Sequence, residues 1–389
     1  MRFSSALFRV PALLICMPMI LAHLPVRADT CPDPGQWYLP GGKLLDSAAL
    51  FAELAGRDVV LLGEQHDNMD HHRWQLHTLA GLHAHRPAMV IGLEMLPREA
   101  QPALDAWVAG ELDEAEFLDR SNWHAAWGFD PALYLPILHF ARLHQVPLKA
   151  INVTPELRGR LVEEGWPAVP EAERFGISPP VEALPDYRER LAAIQAQHPT
   201  ADGENGDGLE RFIAAQLVWD RAMAAGLAEA ATGDELVVGL IGQGHLQYGH
   251  GVPYQLDDLG VGEHATLLPW PVASGGECEP PPGELASALF ALGESPAQAL
   301  PPMQLGIFVV PHQDGVEVHG MLEDSVAERS GLEEGDVILR AAGERLARPA
   351  DLTRLVQRQP PGSLLPLEIR RGEVQQEILA RFPPRNGGG

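Results

Sequence analysis

Cysteine is scarce in this chain, with three among 389 residues, and there are only five tyrosines. None of the cysteines stands in a motif with a partnering histidine, and no G-x-S-x-G elbow occurs, so covalent hydrolysis lacks a nucleophile. No G-x-G-x-x-G follows an apolar strand-like run, which leaves dinucleotide binding unsupported. Basic residues are also few, 28 Lys and Arg against 53 Asp and Glu, a formal charge of −25. A surface that acidic argues against nucleic acid and anionic membranes as partners and mainly confers solubility.

The first thirty residues do not read as fold. Arg2 and Arg9 precede an apolar stretch, and Val26-Arg27-Ala28 supplies a small-x-Ala cleavage site, so residues 1–28 are expected to be a signal peptide. Prolines 11, 18 and 25 and the short length argue against a membrane span. No small residue precedes Cys16 and Cys31 follows Ala-Asp-Thr, so no lipoprotein signal is read. The expectation is a periplasmic or cell-envelope protein. Cleavage removes Arg2, Arg9 and Arg27, taking the formal charge to −28. It leaves Cys31 and Cys278, which flank the large domain and are expected to pair in an oxidising compartment.

From Asp58 onward apolar runs alternate with helical patterns. "DVVLLG", "AMVIGLEML", "PLKAINV", "ELVVGLIGQGH" and "HATLLPW" read as strands, the first a continuous apolar run typical of a strand covered on both faces and the second also buried. Helical segments separate them, the first with Asp70 in the N-cap position. The expected fold class is therefore α/β, a mainly parallel sheet with helices on both faces, over residues 31–274. A Pro-rich insertion at 158–208, with a short helix at "YRERLAAIQAQH", is expected to form a helical lid. Residues 275–302 read as a Pro/Gly-rich linker.

Residues 303–382 change character, with short strands, two short helices and the spacing S-x-A-x-x-x-G-L-x-x-G-D-x-I. This resembles a bacterial-type PDZ domain, a small α+β module. The resemblance implies that Leu305, Gly306 and Ile307 hold the terminal carboxylate of a peptide or protein on backbone N–H groups while the peptide adds a strand to the sheet edge.

Ligands of wound parallel sheets lie beyond the carboxyl ends of the strands, and the polar residues collect there. The first strand delivers Glu64 and His66, with Asp67, Asn68, His71 and His72 following. The second delivers Glu94, the third Asn152, and the fourth Gln243, His245, Tyr248 and His250. His71 and His72 are adjacent, so at least one is expected in solvent. His, Tyr and carboxylate together point to ligation of a bare metal or an iron macrocycle, with carriage rather than turnover favoured.

"VVLLGEQHDNMDHH", "AAQLVWDRAMA" and "GQGHLQYGHGVP", in that order, resemble the haem-binding ChaN family of exported, iron-regulated proteins. The resemblance implies haem (iron protoporphyrin) held in a homodimer, two haems face to face, each iron bound by a tyrosine, in iron acquisition. Tyr248, beside His245 and His250, and Tyr187, in the insertion, are both candidates for that ligand. His71, His72, Arg73 and Lys149 are candidates for the propionates. The paired G-x-x-H motifs, "GEQH" and "GQGH", also resemble the TraB and Tiki metalloprotease clan. That implies a divalent metal on Glu64, His66 and His245 with a bound water as nucleophile.

Overall fold

The computed structural model describes residues 32–197, 206–272, 281–293 and 303–384. The expected signal peptide and both cysteines of the expected disulfide lie outside the described residues.

The large sheet takes eight strands: β1 (Trp37–Tyr38), β2 (Leu44–Leu45), β3 (Val59–Glu64), β4 (Met89–Pro97), β5 (Leu148–Asn152), β6 (Leu236–Gly242), β7 (His264–Val272) and β8 (Ala288–Gly293). Their order is β2-β1-β8-β7-β3-β6-β4-β5. From β8 to β5 every pairing is parallel, and the only antiparallel pairings in this sheet, among the described residues, are those of β1 with β8 and with β2. The α/β expectation therefore holds. All six residues of β3 and all seven of β6 are buried, which is why these runs carry no polar alternation.

The helices are α1 (Ser47–Leu54), α2 (Met69–His85), α3 (Gln101–Val108), α4 (Glu114–Arg120), α5 (Trp123–Ala126), α6 (Leu135–His144), α7 (Pro155–Glu163), α8 (Pro185–Gln197), α9 (Gly206–Ala230) and α10 (Val252–Asp258). They cover both faces of the sheet. One core joins Leu62, Leu93 and Leu240 to Trp74, Trp107 and Tyr134, and the other joins Leu61, Val237 and Ile241 to Met223 and Leu227 of α9.

Two expectations need correction here. The N-cap of α2 is Asn68, whose side chain accepts from the N–H groups of Asp70 and His71; Asp70 lies in the first turn, where its charge favours the helix dipole. The supposed linker at 275–302 contains β8, which pairs with β7 and β1, so the large sheet extends past residue 274. The flanking prolines and glycines masked a six-residue apolar strand, too short to announce itself beside them.

A second, antiparallel sheet follows: β9 (Ile307–His312), β10 (Gly315–Met321), β11 (Val337–Ala341), β12 (Glu344–Arg345), β13 (Leu364–Arg371) and β14 (Val374–Arg381), with α11 (Val326–Ser330) and α12 (Pro349–Gln357). Its order is β14-β13-β11-β10-β9, with β12 paired to β11. That leaves β9 on an edge, and the unit has its own core around Val316, Ile338, Leu352 and Leu367.

Candidate functional site

Because β6 inserts between β3 and β4, the carboxyl ends of these three strands converge. Glu64 is in register with Gly242. Beyond Leu93, β4 leaves its regular pairing, and the Glu94 carboxylate accepts the Gly242 N–H at 2.5 Å. His66 follows β3, and its Nδ1 lies 2.6 Å from Glu64 Oε1. A Cβ on residue 242 would stand 2.7 Å from His66 Cε1, so only glycine leaves room for this ring. Ligand atoms of Glu64, His66 and Glu94 all lie within 4.8 Å of one another.

A second group adjoins the first. His245 is partly buried, with Nδ1 2.6 Å from Asp220 Oδ1 and Nε2 3.8 Å from Glu94 Oε1. Asp220, on α9, is fully buried. Its other oxygen accepts the Tyr187 hydroxyl at 2.8 Å. On the first side, Tyr134 donates to Glu64 Oε1 at 3.3 Å. A row of polar side chains thus runs from Tyr134 to Tyr187 across the mouth of the sheet.

The charges of this chain balance locally. Burial acts first on both histidines and disfavours their cationic forms. For His66 it is outweighed by the hydrogen bond and charge of Glu64, with Glu94 beyond, so the imidazole is held above its ordinary value. For His245 burial is outweighed by Asp220 and Glu94, and the ring is raised to about 9. Burial pushes the Glu94 carboxyl up, with His245 and His66 pulling the other way. Burial and the Asp220 charge hold the Tyr187 phenol well above its usual range. Buried carboxylates of this kind persist only when paired; Glu64 is paired through Oε1, whereas among the described residues its buried Oε2 has no hydrogen-bond partner.

The two candidate tyrosines have opposite surroundings. Tyr187 is 1% exposed with its hydroxyl spent on Asp220, whereas Tyr248 is 37% exposed. Tyr248 has φ 63°, a left-handed conformation uncommon for a residue with a side chain. Among the described residues its hydroxyl makes no hydrogen bond. The Arg190 guanidinium stands 5.3 Å from its ring centroid and 5.0 Å from that of Tyr187. Arg190 is anchored by donating to the carbonyls of Gln247 and Gly244, each at 3.0 Å. The His250 ring lies 5.7 Å from that of Tyr248 and 5.9 Å from that of Tyr187.

His71 and His72 are not at this surface. Both are buried, at 6% and 2% exposure, which corrects the expectation that one faces solvent. His71 Nδ1 accepts the Gln65 N–H at 2.9 Å, and burial lowers this ring to about 4. His72 Nε2 lies 3.1 Å from the His66 carbonyl and its Nδ1 3.1 Å from Gln75 Oε1. Adjacent helical residues can both be buried here because α2 begins under the loop that carries His66. Their role is to hold that loop. Lys149 is paired with Glu229, and Arg73 with Asp70. Asn152 donates to the Glu94 carbonyl at 3.0 Å and steadies the end of β4.

Residue-by-residue reading missed Asp220, Tyr134 and Arg190. Asp220 left one signal, a charge within the apolar "LVWDRAMA" of α9. Tyr134 and Arg190 left none, since their helices carry other polar residues.

In the second sheet, Gly306 has φ +73°, and a Cβ there would stand 2.7 Å from that of Ser325. Leu305 is buried and Ile307 opens β9. Together they head a groove of about 350 Å³ between β9 and α12, lined also by Leu322, Leu352 and Val356.

Comparison with known proteins agrees with this layout. The sequence profile described as "Haem-binding uptake, Tiki superfamily, ChaN" matches residues 50–256, more than half of the chain. The chain belongs to the ChaN haem-binding family. A PDZ profile matches residues 317–371, so a PDZ domain follows the ChaN-type domain. The solved structure titled "Cofacial heme binding to ChaN of Campylobacter jejuni" shares the fold of the first part. It is 18% identical with a TM-score of 0.51, over 65% of this chain and 95% of that one. A solved HtrA3 PDZ domain bound to the phage-derived ligand FGRWV is 24% identical with a TM-score of 0.19, over 20% of this chain and 82% of that one. The curated "Putative serine protease HhoA" of Synechocystis sp. is 35% identical over 74 residues. The match spans 19% of this chain and 19% of that relative's length. Among the described residues no helix is long and apolar enough to cross a membrane.

Proposed function

We propose that this chain is an exported haem-binding protein of the cell envelope that takes haem on Tyr248 and carries a peptide-reading PDZ domain. The observation that carries this reading is the contrast between the two phenols. Tyr248 is exposed, its hydroxyl makes no hydrogen bond among the described residues and the Arg190 cation lies over its ring, while the Tyr187 hydroxyl is committed to Asp220 within a buried side chain. Haem bound there would supply a ferric iron, for which the hard oxygen of Tyr248 would be a suitable ligand. Arg190 stands 5.3 Å from the Tyr248 ring centroid, its own place secured by two backbone carbonyls. His250 and Arg190 stand beside the ring as donors for propionates, charge-assisted in the case of Arg190. The His245–Asp220 pair fixes the backbone from which Tyr248 projects. Tyr248 sits on open surface, so a flat ligand resting on it exposes its far apolar face. A second copy of the chain covering that face buries it, which makes a cofacial homodimer the expected holo form.

Hemin titration of the purified protein tests this directly. The expected result is a stoichiometric tyrosinate-type spectrum, unchanged in Tyr187→Phe, lost in Tyr248→Phe, and accompanied by dimerisation in sedimentation. Binding by Tyr248→Phe equal to that of the parent overturns it.

A second reading has its own observation. The orphaned Glu64 Oε2, within reach of His66 and Glu94, is the arrangement a divalent cation would complete, in keeping with a metal-dependent hydrolase. Here Glu94 joins Glu64 and His66 in the cluster, while His245 has Nδ1 on Asp220 and Nε2 3.8 Å from Glu94 Oε1. Metal analysis of protein purified without haem decides this reading. Stoichiometric Mn, Co or Zn that disappears in His66→Ala supports it, and protein free of metal refutes it.

A further inference from the structure

The helix that walls the PDZ groove is also attached to the segment that covers His66. On its groove side α12 presents Leu352, Thr353, Val356 and Gln357. On its other side it meets residues 119–128. Gln357 Nε2 donates to the Gly128 carbonyl at 3.1 Å. At the opposite end of α12, the Arg348 N-cap donates to Asn122 Oδ1 at 3.1 Å and stands 3.5 Å from Asp119 Oδ1. Gly128 lies between Trp127 and Phe129, whose rings pack against the His66 imidazole with centroids 4.5 and 5.2 Å away. His124, in the same seam, is held to about 4 by burial and by the nearby Arg354 and Arg358, so it stays neutral there.

Gln357 therefore belongs to both places at once: its side chain lines the groove and holds the peptide carbonyl between the two rings over His66. A peptide added as a strand beside edge strand β9 must fit between β9 and α12, so seating it displaces α12 or restrains it. Either change is passed to the Trp127–Phe129 cover through a single hydrogen bond, with the Arg348 contacts as the far pivot. Coupling of this sort is a free energy shared by two sites and is reciprocal.

We propose that occupancy of the PDZ groove controls the cover over His66, with α12 as the shared element and the Gln357–Gly128 bond as the link. The proposal rests on residues 303–384 acting as a peptide-binding module, and it needs no haem, so hemin failing to bind leaves it standing.

Hydrogen exchange in the full chain, read by mass spectrometry, tests it in two arms. In Arg348→Ala/Gln357→Ala, exchange across residues 123–130 should speed up about tenfold, as expected from losing the few exposed contacts these two side chains make to Asp119, Asn122 and Gly128. Unchanged exchange there, with a folded PDZ domain shown by its β13–β14 amides, overturns the proposal without any peptide. In the second arm the pentapeptide FGRWV is added to the parent, with binding followed by fluorescence anisotropy. Bound peptide should shift exchange at 123–130 at least threefold in the parent and not in the double variant. Binding with no shift in the parent refutes the link, and if this pentapeptide does not bind, the first arm alone decides.

Discussion

Replacing Asp220 by asparagine removes the charge on which the buried centre turns. Asp220 is fully buried and holds His245 Nδ1 at 2.6 Å and the Tyr187 hydroxyl at 2.8 Å. His245 is raised from 6.5 to about 9, with Asp220 the largest of the influences that overcome burial. A group whose pKa is raised by folding contributes stability that is complete below its unfolded value and vanishes as pH climbs through its folded value. The window here runs from pH 6.5 to about 9. A shift of that size corresponds to about 3 kcal/mol. Urea unfolding at fixed ionic strength, across this range, should show the parent losing at least that amount, since His66 is raised as well. Glu94, raised by burial, slopes the same way in parent and variant, so the difference between their curves isolates His245. Asp220→Asn keeps an acceptor for Tyr187 but not the counter-charge. It should be about 3 kcal/mol less stable at pH 6.5 and nearly level with the parent by pH 9.5. Parallel stability curves for parent and variant would refute the assignment, as would an NMR titration placing His245 near 6.5 in the parent.

His71, depressed to about 4, works in the opposite window: its contribution is present above pH 6.5 and lost as pH falls through 4, about 3 kcal/mol. His71→Asn should flatten that acid limb, and an unaltered limb would show that another group causes it. Gly242→Ala places a methyl 2.7 Å from His66 Cε1, so a loss of about 1–3 kcal/mol from overpacking is expected together with a displaced His66 resonance. An unchanged His66 environment by NMR would count against the crowding. Gly306→Ala combines φ +73° with a contact at 2.7 Å. The PDZ domain should lose about 1–3 kcal/mol and its peptide binding, and calorimetry of the full chain would reveal an unaffected transition if the turn tolerates alanine.

Much of this architecture could be read along the chain because the causes are local. A strand buried on both faces has nowhere to put polar residues, so β3 and β6 appear as apolar runs and their polar successors mark the mouth of the sheet. The PDZ domain was legible for a similar reason: Gly306 and the serine, glycine and aspartate positions of its turns each answer a local backbone demand. β8 escaped notice because six apolar residues between proline-rich flanks carry too little pattern to outweigh their neighbours. The pairing that makes them a strand is with residues 37–38 and 267–272, far away in sequence.

The site divides along the same line. By itself the sequence determined which kinds of donor reach the strand ends: Glu64, His66, Glu94, His245 and a tyrosine. Only the tertiary structure decided which of them act together. Asp220 arrives from a helix twenty-five positions before His245 and sets its charge, Tyr187 is drawn inward to Asp220, Tyr248 is left outside, and His71 and His72 are enclosed beneath a loop. Burial and charge pairing are properties of neighbours in space, and no spacing along a chain encodes whether a hydroxyl finds a buried carboxylate or open water.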